Sequence, residues 1–280
     1  MCDHNDQEEL QKYTRRDFGM WAASAGLLTA LPGVANAVAV AEREVTIAAP
    51  DGSCDAYFVA PTSGAAPGVL VWPDVFGLRP AFRQMGRRLA ESGYSVLVVN
   101  PFYRQKKAPT AAQGGKTPIA EVMPLMQALT PAMHLSDGKT FAAWLDAQPE
   151  VDKARKLGTT GYCMGGPIAV RTAVTAPGRV GAVGTFHGAA MVTDAPDSPH
   201  RLVAQTHARY LIAIAETDDK KQPEAKTALR TALDNAKLEA EVEVYPAAHG
   251  WCPPDTQVYD AAQAERAWGR LLATFGKALA

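Results

Sequence analysis

Three residue types that cooperate in acyl transfer recur in one order along this chain: a cysteine between glycines at Cys163, aspartates at Asp218 and Asp219, and a histidine at His249. Cysteine attacks as its thiolate. Histidine can take the thiol proton and return it to a leaving group, and an aspartate behind it fixes its tautomer and steadies its cation. The combination predicts nucleophilic attack on an acyl carbonyl. Counting forward from the preceding strand selects Asp218 as the acid. Counting back from Pro223 leaves Asp219 as the alternative.

The cysteine lies in Leu157 to Gly166, LGTTGYCMGG. An apolar, β-branched run enters Gly161-Tyr162-Cys163-Met164-Gly165, and the helix-compatible segment PIAVRTAVTA follows, which predicts a strand, a very sharp turn and a helix. In such a turn the strand end and helix start approach too closely for side chains two positions either side of the nucleophile, hence the glycines. Cys163 would then stand at a helix N-terminus, where unpaired N–H groups favour thiolate over thiol. A buried structural cysteine is the competing reading of an isolated Gly-x-Cys-x-Gly. The surrounding elements must decide.

Those elements alternate. Glu44 to Ala48 and Cys54 to Ala60 read as a hairpin turning at Ala49-Pro50-Asp51-Gly52. Gly68 to Trp72 and Tyr94 to Asn100 read as strands flanking an amphipathic helix that Gly93 ends. A long polar loop, Pro101 to about Pro118, is followed by one or two helices, the second from about Asp137 to Ala147 with Ser136 or Asp137 as its cap. Further strands are expected at Arg179 to Phe186, Tyr210 to Ala215 and Glu241 to Tyr245, with helices over about Pro223 to Ala236 and Gln257 to Ala278. Strands alternating with long helices predict an α/β fold, a mainly parallel central sheet with helices on both faces. Ligands of such sheets bind at the C-terminal ends of the strands, where Asp74, Cys163, His187, Asp218 and His249 would collect.

Nucleophile, acid, histidine is the chain order of the α/β-hydrolase triad. With WPDVFGLRP, LVVNPFYR, GYCMGG, the SPH near 200, ETDD and HGW, the chain resembles the dienelactone hydrolase family, a cysteine branch of that fold, over nearly all of residues 38–280. The resemblance implies a carboxymethylenebutenolidase-like hydrolysis of an enol lactone or related ester through a thioester, with Cys163, Asp218 and His249 as the triad. The backbone N–H groups of Met164 and Val75 are the expected oxyanion donors. Where the family places a glutamate against the resting thiol, this chain has Asp74, one methylene shorter. Arg104 is the match for a family arginine that binds substrate carboxylate. Phe76, Tyr103, His187 and Trp251 are candidate pocket walls, and each could equally be core.

The 280 residues, 47% hydrophobic and 20% charged with net charge −1, give no electrostatic footprint for nucleic acid. No cofactor or metal is expected, since His200 and His207 lack metal-ligand spacing. Residues 1–37 resemble a twin-arginine export leader: Arg15-Arg16 and Phe18, then an apolar run from Met20 to Leu31, then Ala35-Asn36-Ala37. That run is too short for the roughly 20 apolar residues a bilayer needs. Cleavage after Ala37, or after Ala39, predicts a single mature domain over 38–280, exported and periplasmic, acting as a monomer or small homo-oligomer on a small-molecule ester or lactone. Cys54 and Cys252 would be bridged or simply buried there. A thiol redox protein and a small-molecule binding protein on a hydrolase scaffold are the alternatives; the first lacks a C-x-x-C pair.

Overall fold

The structure, a computed structural model, describes residues 30–111 and 116–280. The Arg15-Arg16 motif and most of the apolar run after it lie outside the described residues. Among the described residues, eight strands form one sheet in the order β1-β2-β4-β3-β5-β6-β7-β8. They are β1 Val40–Ala49, β2 Gly52–Pro61, β3 Gly68–Trp72, β4 Ser95–Val99, β5 Leu157–Tyr162, β6 Val180–Phe186, β7 Arg209–Ala215 and β8 Ala240–Tyr245. β2 pairs antiparallel with β1 and with β4, and every other pairing is parallel. The helices are α1 Pro80–Glu91, α2 Ile119–Gln127, α3 Pro131–Asp146, α4 Gly165–Thr175, α5 Pro199–Leu202, α6 Glu216–Lys221, α7 Ala225–Asn235 and α8 Ala261–Ala278.

The sequence of the central strands explains why both faces are covered. All five residues of β3 and of β4 are buried. Along β3, Leu70 and Trp72 point to the face carrying Phe141 and Leu145 of α3, Ile168 of α4 and Leu229 of α7. Val69 and Val71 point to the face carrying Phe82 and Leu89 of α1 and Leu271 and Phe275 of α8. Period-two alternation of apolar residues thus supplies two cores from one strand. No helix among the described residues is long and apolar enough to cross a membrane.

Several element boundaries differ from those expected. β1 runs from Val40 because every residue through Ala49 pairs with β2, around a tight loop at Pro50 and Asp51. α3 starts at Pro131, capped by Thr130, whose Oγ1 accepts from the Met133 N–H at 3.3 Å; a Thr-Pro start outcompetes the expected cap at Ser136 or Asp137. Asp137 is instead buried inside α3. The single helix expected over about Pro223 to Ala236 is α7, and a short α6 that was not expected precedes it, carrying Asp218 and Asp219 in its first turn.

Candidate active site

Cys163 follows β5 and precedes α4 with φ +52°, the left-handed region that a non-glycine residue enters only under constraint. Three backbone bonds hold it there. Its N–H donates to Phe186 O at 3.1 Å, and its carbonyl accepts from Gly166 at 3.0 Å and Ala189 at 3.1 Å. A Cβ on Gly161 would lie 1.9 Å from Gly165 O, and one on Gly165 would lie 2.3 Å from Trp72 O. The glycines two positions either side of Cys163 are therefore a steric requirement of the turn. Cys163 itself is 4% exposed.

Asp218 and His249 follow neighbouring strands. β7 ends at Ala215, so α6 begins at once and carries Asp218; β8 ends at Tyr245, and His249 lies in the loop that follows. His249 Nδ1 is 2.7 Å from Asp218 Oδ2. The loop is pinned by the His249 N–H, which donates to Thr217 Oγ1 at 2.9 Å, and turned by Gly250 at φ +98°. Asp219 faces the other way, to Lys226 Nζ at 2.8 Å. Of the two aspartates left open by the sequence, Asp218 is the one that meets the histidine.

Met164, Val75 and Phe102 are buried in one small cluster with Cys163, and Phe76 lies half-buried against it. The two residues whose N–H groups are the expected oxyanion donors, and one expected pocket wall, thus belong to the same cluster as Cys163. Ala189 packs against it from the loop after β6, and the remaining members come from α2 and the turn after it, through Ile119, Val122, Met123, Leu125, Met126 and Leu129. No functional weight was attached to this segment in sequence, although the density of Met and Leu in IAEVMPLMQAL is its visible signal.

Asp74 is committed to the loop that bears Val75. Its two carboxylate oxygens meet Arg79 at 2.6 and 2.9 Å, and Oδ1 also accepts from the Phe76 N–H at 2.9 Å. Arg79 is fully buried and bridges to Asp255 at 2.7 and 2.9 Å. Any influence of Asp74 on the thiol is exerted by a carboxylate whose charge is already shared with Arg79. Arg79, five positions beyond Asp74 in the same motif, was missed because a lone arginine before proline carries no sequence signal of a buried ion pair.

Arg104 requires a correction. Its guanidinium grips Asp137 with two bonds of 2.7 Å and Asp51 with bonds of 2.9 and 2.7 Å. Those carboxylates occupy the fork that would have received a substrate, and burying Asp137 in α3 demands such a partner. Tyr103 belongs to the same assembly: its hydroxyl donates to Asp137 Oδ1 at 2.9 Å and its ring packs near Phe141. Trp251 is fully buried and stacked on Tyr245 at 5.3 Å, so it is core rather than an open wall. His187 is fully buried, with its ring 5.0 Å from those of both His249 and Trp251.

Cys54 and Cys252 are buried thiols, on opposite faces of the sheet, and neither is in a disulfide among the described residues. Burial raises the pKa of both, which disfavours the reactive thiolate.

Residues 54–279 match the dienelactone hydrolase family. A protein from Escherichia coli strain K12 named "Putative carboxymethylenebutenolidase" is 28% identical over 230 residues, spanning 79% of this chain and 81% of its own. One of the same name from Synechocystis is 29% identical over 226 residues, spanning 78% and 89%. Among solved structures, a protein from Klebsiella pneumoniae named "Putative Dienelactone Hydrolase" superposes with TM-score 0.75 at 26% identity, covering 85% of this chain and 99% of that one. The dienelactone hydrolase-like promiscuous phosphotriesterase P91, at 23% identity and TM-score 0.73 over 86% of this chain and 100% of that one, shares the fold.

Proposed function

Because the chain belongs to the dienelactone hydrolase family and is a lactone or ester hydrolase, we propose that it works through a Cys163-His249-Asp218 triad and a thioester acyl-enzyme. The observation that carries this reading is the 2.7 Å contact of His249 Nδ1 with Asp218 Oδ2. A ring that donates Nδ1–H to a carboxylate keeps its lone pair on Nε2, the atom that must accept a proton.

In the first half-reaction His249 Nε2 takes the Cys163 proton as sulfur bonds to the substrate carbonyl carbon. The oxyanion that forms is held by the backbone N–H groups of Met164 and Val75, each such donor contributing on the order of 3 kcal/mol to lowering the barrier. Collapse expels the alkoxide or enolate, which receives the proton from His249. Water, deprotonated by the same ring, then attacks the thioester carbonyl, and the carboxylic acid leaves as the Cys163 sulfur recovers a proton. Opening a lactone by this route leaves one product carrying both the new carboxylate and the hydroxyl or its keto tautomer.

The test is turnover of an aryl ester by Cys163→Ala and His249→Ala variants. Loss of turnover in both, with folding intact by circular dichroism, is the expected result. Turnover that survives either substitution would overturn the triad.

Residues 1–37 are proposed as a twin-arginine leader for a mature domain over 38–280 in the periplasm. Cleavage after Ala37 or Ala39 would leave the sheet whole, because β1 begins at Val40. N-terminal sequencing of the periplasmic fraction, with and without an R15K/R16K substitution, tests it; a chain starting at Met1 in the cytoplasm of both strains would contradict it.

A further inference from the structure

The ester-hydrolase reading says nothing of which acyl group is accepted, and the surroundings of Cys163 bear on that. The thiol is 4% exposed, whereas a reacting carbonyl must come within about 3 to 3.5 Å of the sulfur. Substrate therefore enters by displacing side chains of the apolar cluster that holds Cys163. Those on the α2 side are Ile119, Val122, Met123 and Met126, and Phe76 flanks them from the loop after β3. Methionine is unbranched and polarizable, so it re-packs around an inserted chain more readily than other apolar side chains.

Charge around the same cluster points the same way. Phe76 precedes Arg79 in its loop, and Arg79 already carries Asp74 and Asp255. Phe102, in the cluster, precedes Arg104, which carries Asp51 and Asp137. Each guanidinium with its two carboxylates has a formal charge of −1. Asp218 adds another negative charge behind His249. A carboxylate on the substrate would find both of these guanidinium forks already occupied.

We infer that the substrate class is an uncharged ester or lactone with an apolar acyl portion, seated against Phe76, Met123 and Met126. This rests on Cys163 being the nucleophile of an ester hydrolase. The step is the acyl transfer already described, so no further reactant is required.

The measurement compares two aryl esters of similar acyl length on the full chain, 4-nitrophenyl hexanoate and the mono-4-nitrophenyl ester of adipic acid, at low ionic strength. The neutral ester is expected to have the higher kcat/KM by at least about tenfold, the scale on which apolar pockets discriminate. Hexanoate should also exceed acetate, and M123A or M126A should reduce the hexanoate-to-acetate ratio several-fold. Equal or better turnover of the adipate ester, lost in Cys163→Ala, would overturn this inference and leave the triad standing. A hexanoate-to-acetate ratio that both methionine substitutions leave unchanged would also overturn it. Turnover of neither ester would overturn the inference and the hydrolase reading of Cys163 together.

Discussion

His187 sets its ring edge-on to that of His249, with centroids 5.0 Å apart. Both of its own ring nitrogens are buried without a hydrogen-bond partner among the described residues. A buried polar group left so is worth about 1 to 3 kcal/mol of lost stability. Its backbone is equally constrained, with φ +40°. Burial first, and then the neighbouring His249, hold the His187 pKa well below the ordinary histidine value. His187 thus stays neutral beside the ring that the proposed mechanism turns into a cation.

That relationship predicts how stability responds to acid. Folded His187 binds no proton at pH values where the unfolded chain, with an ordinary pKa of 6.5, does. His134 behaves alike: burial, then Arg171 and Arg104, bring it down to about 3. Their contribution is fully present above pH 6.5 and is lost as pH falls below it, for His134 down to about pH 3. Each ring adds up to about 1.4 kcal/mol per pH unit to the slope within that window. Urea denaturation at several pH values between 5 and 7 should show the slope reduced in His187→Phe and His134→Gln. An unchanged slope in both would mean that other groups govern acid unfolding.

The two triad candidates for the acid give a sharp contrast. Asp218→Asn should lower kcat by roughly three to four orders of magnitude, since it allows the wrong imidazole tautomer. Asp219→Asn should stay within a few-fold of the unaltered enzyme, because Asp219 pairs with Lys226 on the surface. Stopped assays on one aryl ester, normalised to folded protein, decide it; similar losses in the two variants would contradict the 2.7 Å contact as the working one.

The elbow glycines predict a loss of fold rather than of chemistry alone. An alanine at position 161 would drive its Cβ into Gly165 O, now 1.9 Å from the ideal Cβ position. Backbone on both sides leaves no flexible side chain to yield, so Gly161→Ala should destabilise by about 3 kcal/mol or more. Thermal unfolding of Gly161→Ala beside Gly178→Ala, where an added Cβ meets nothing within 4 Å, makes the comparison. Equal melting temperatures would remove the steric account of the turn.

Arg79 is expected to act through stability. Removing it in Arg79→Met leaves Asp74 and Asp255 buried without their shared cation, at about 3 to 5 kcal/mol. Adding Asp74→Asn and Asp255→Asn should return part of that loss. A triple variant no more stable than the single one would show that the charges are not what the loop depends on.

Much of this site was legible because backbone constraints write themselves into sequence. Gly161 and Gly165 had to be glycine, and the parallel strands had to be apolar on both faces, so the elbow and the alternation of strands and helices followed, with Cys163, the Asp218-Asp219 pair and His249 each just past a strand. What did not follow was long-range pairing of buried charge. Arg104 reads as a ligand-binding arginine until Asp137, itself expected at a helix start, turns out to be buried within α3 beside it. The apolar cluster that holds Cys163 was hidden for a different reason. Ile119, Met123 and Met126 have the spacing of any amphipathic helix, and only the three-dimensional path of the chain brings them to Cys163.

The central claim is that Cys163 becomes acylated, and trapping the acyl-enzyme tests it most directly. Full chain mixed with a slow aryl ester, quenched in acid and mapped by peptide mass spectrometry, should carry the acyl mass on the peptide containing Cys163 and on neither Cys54 nor Cys252. The adduct should disappear with hydroxylamine, as a thioester does. Continued ester turnover with no acyl mass on Cys163, or an unchanged rate in Cys163→Ala, would contradict the account.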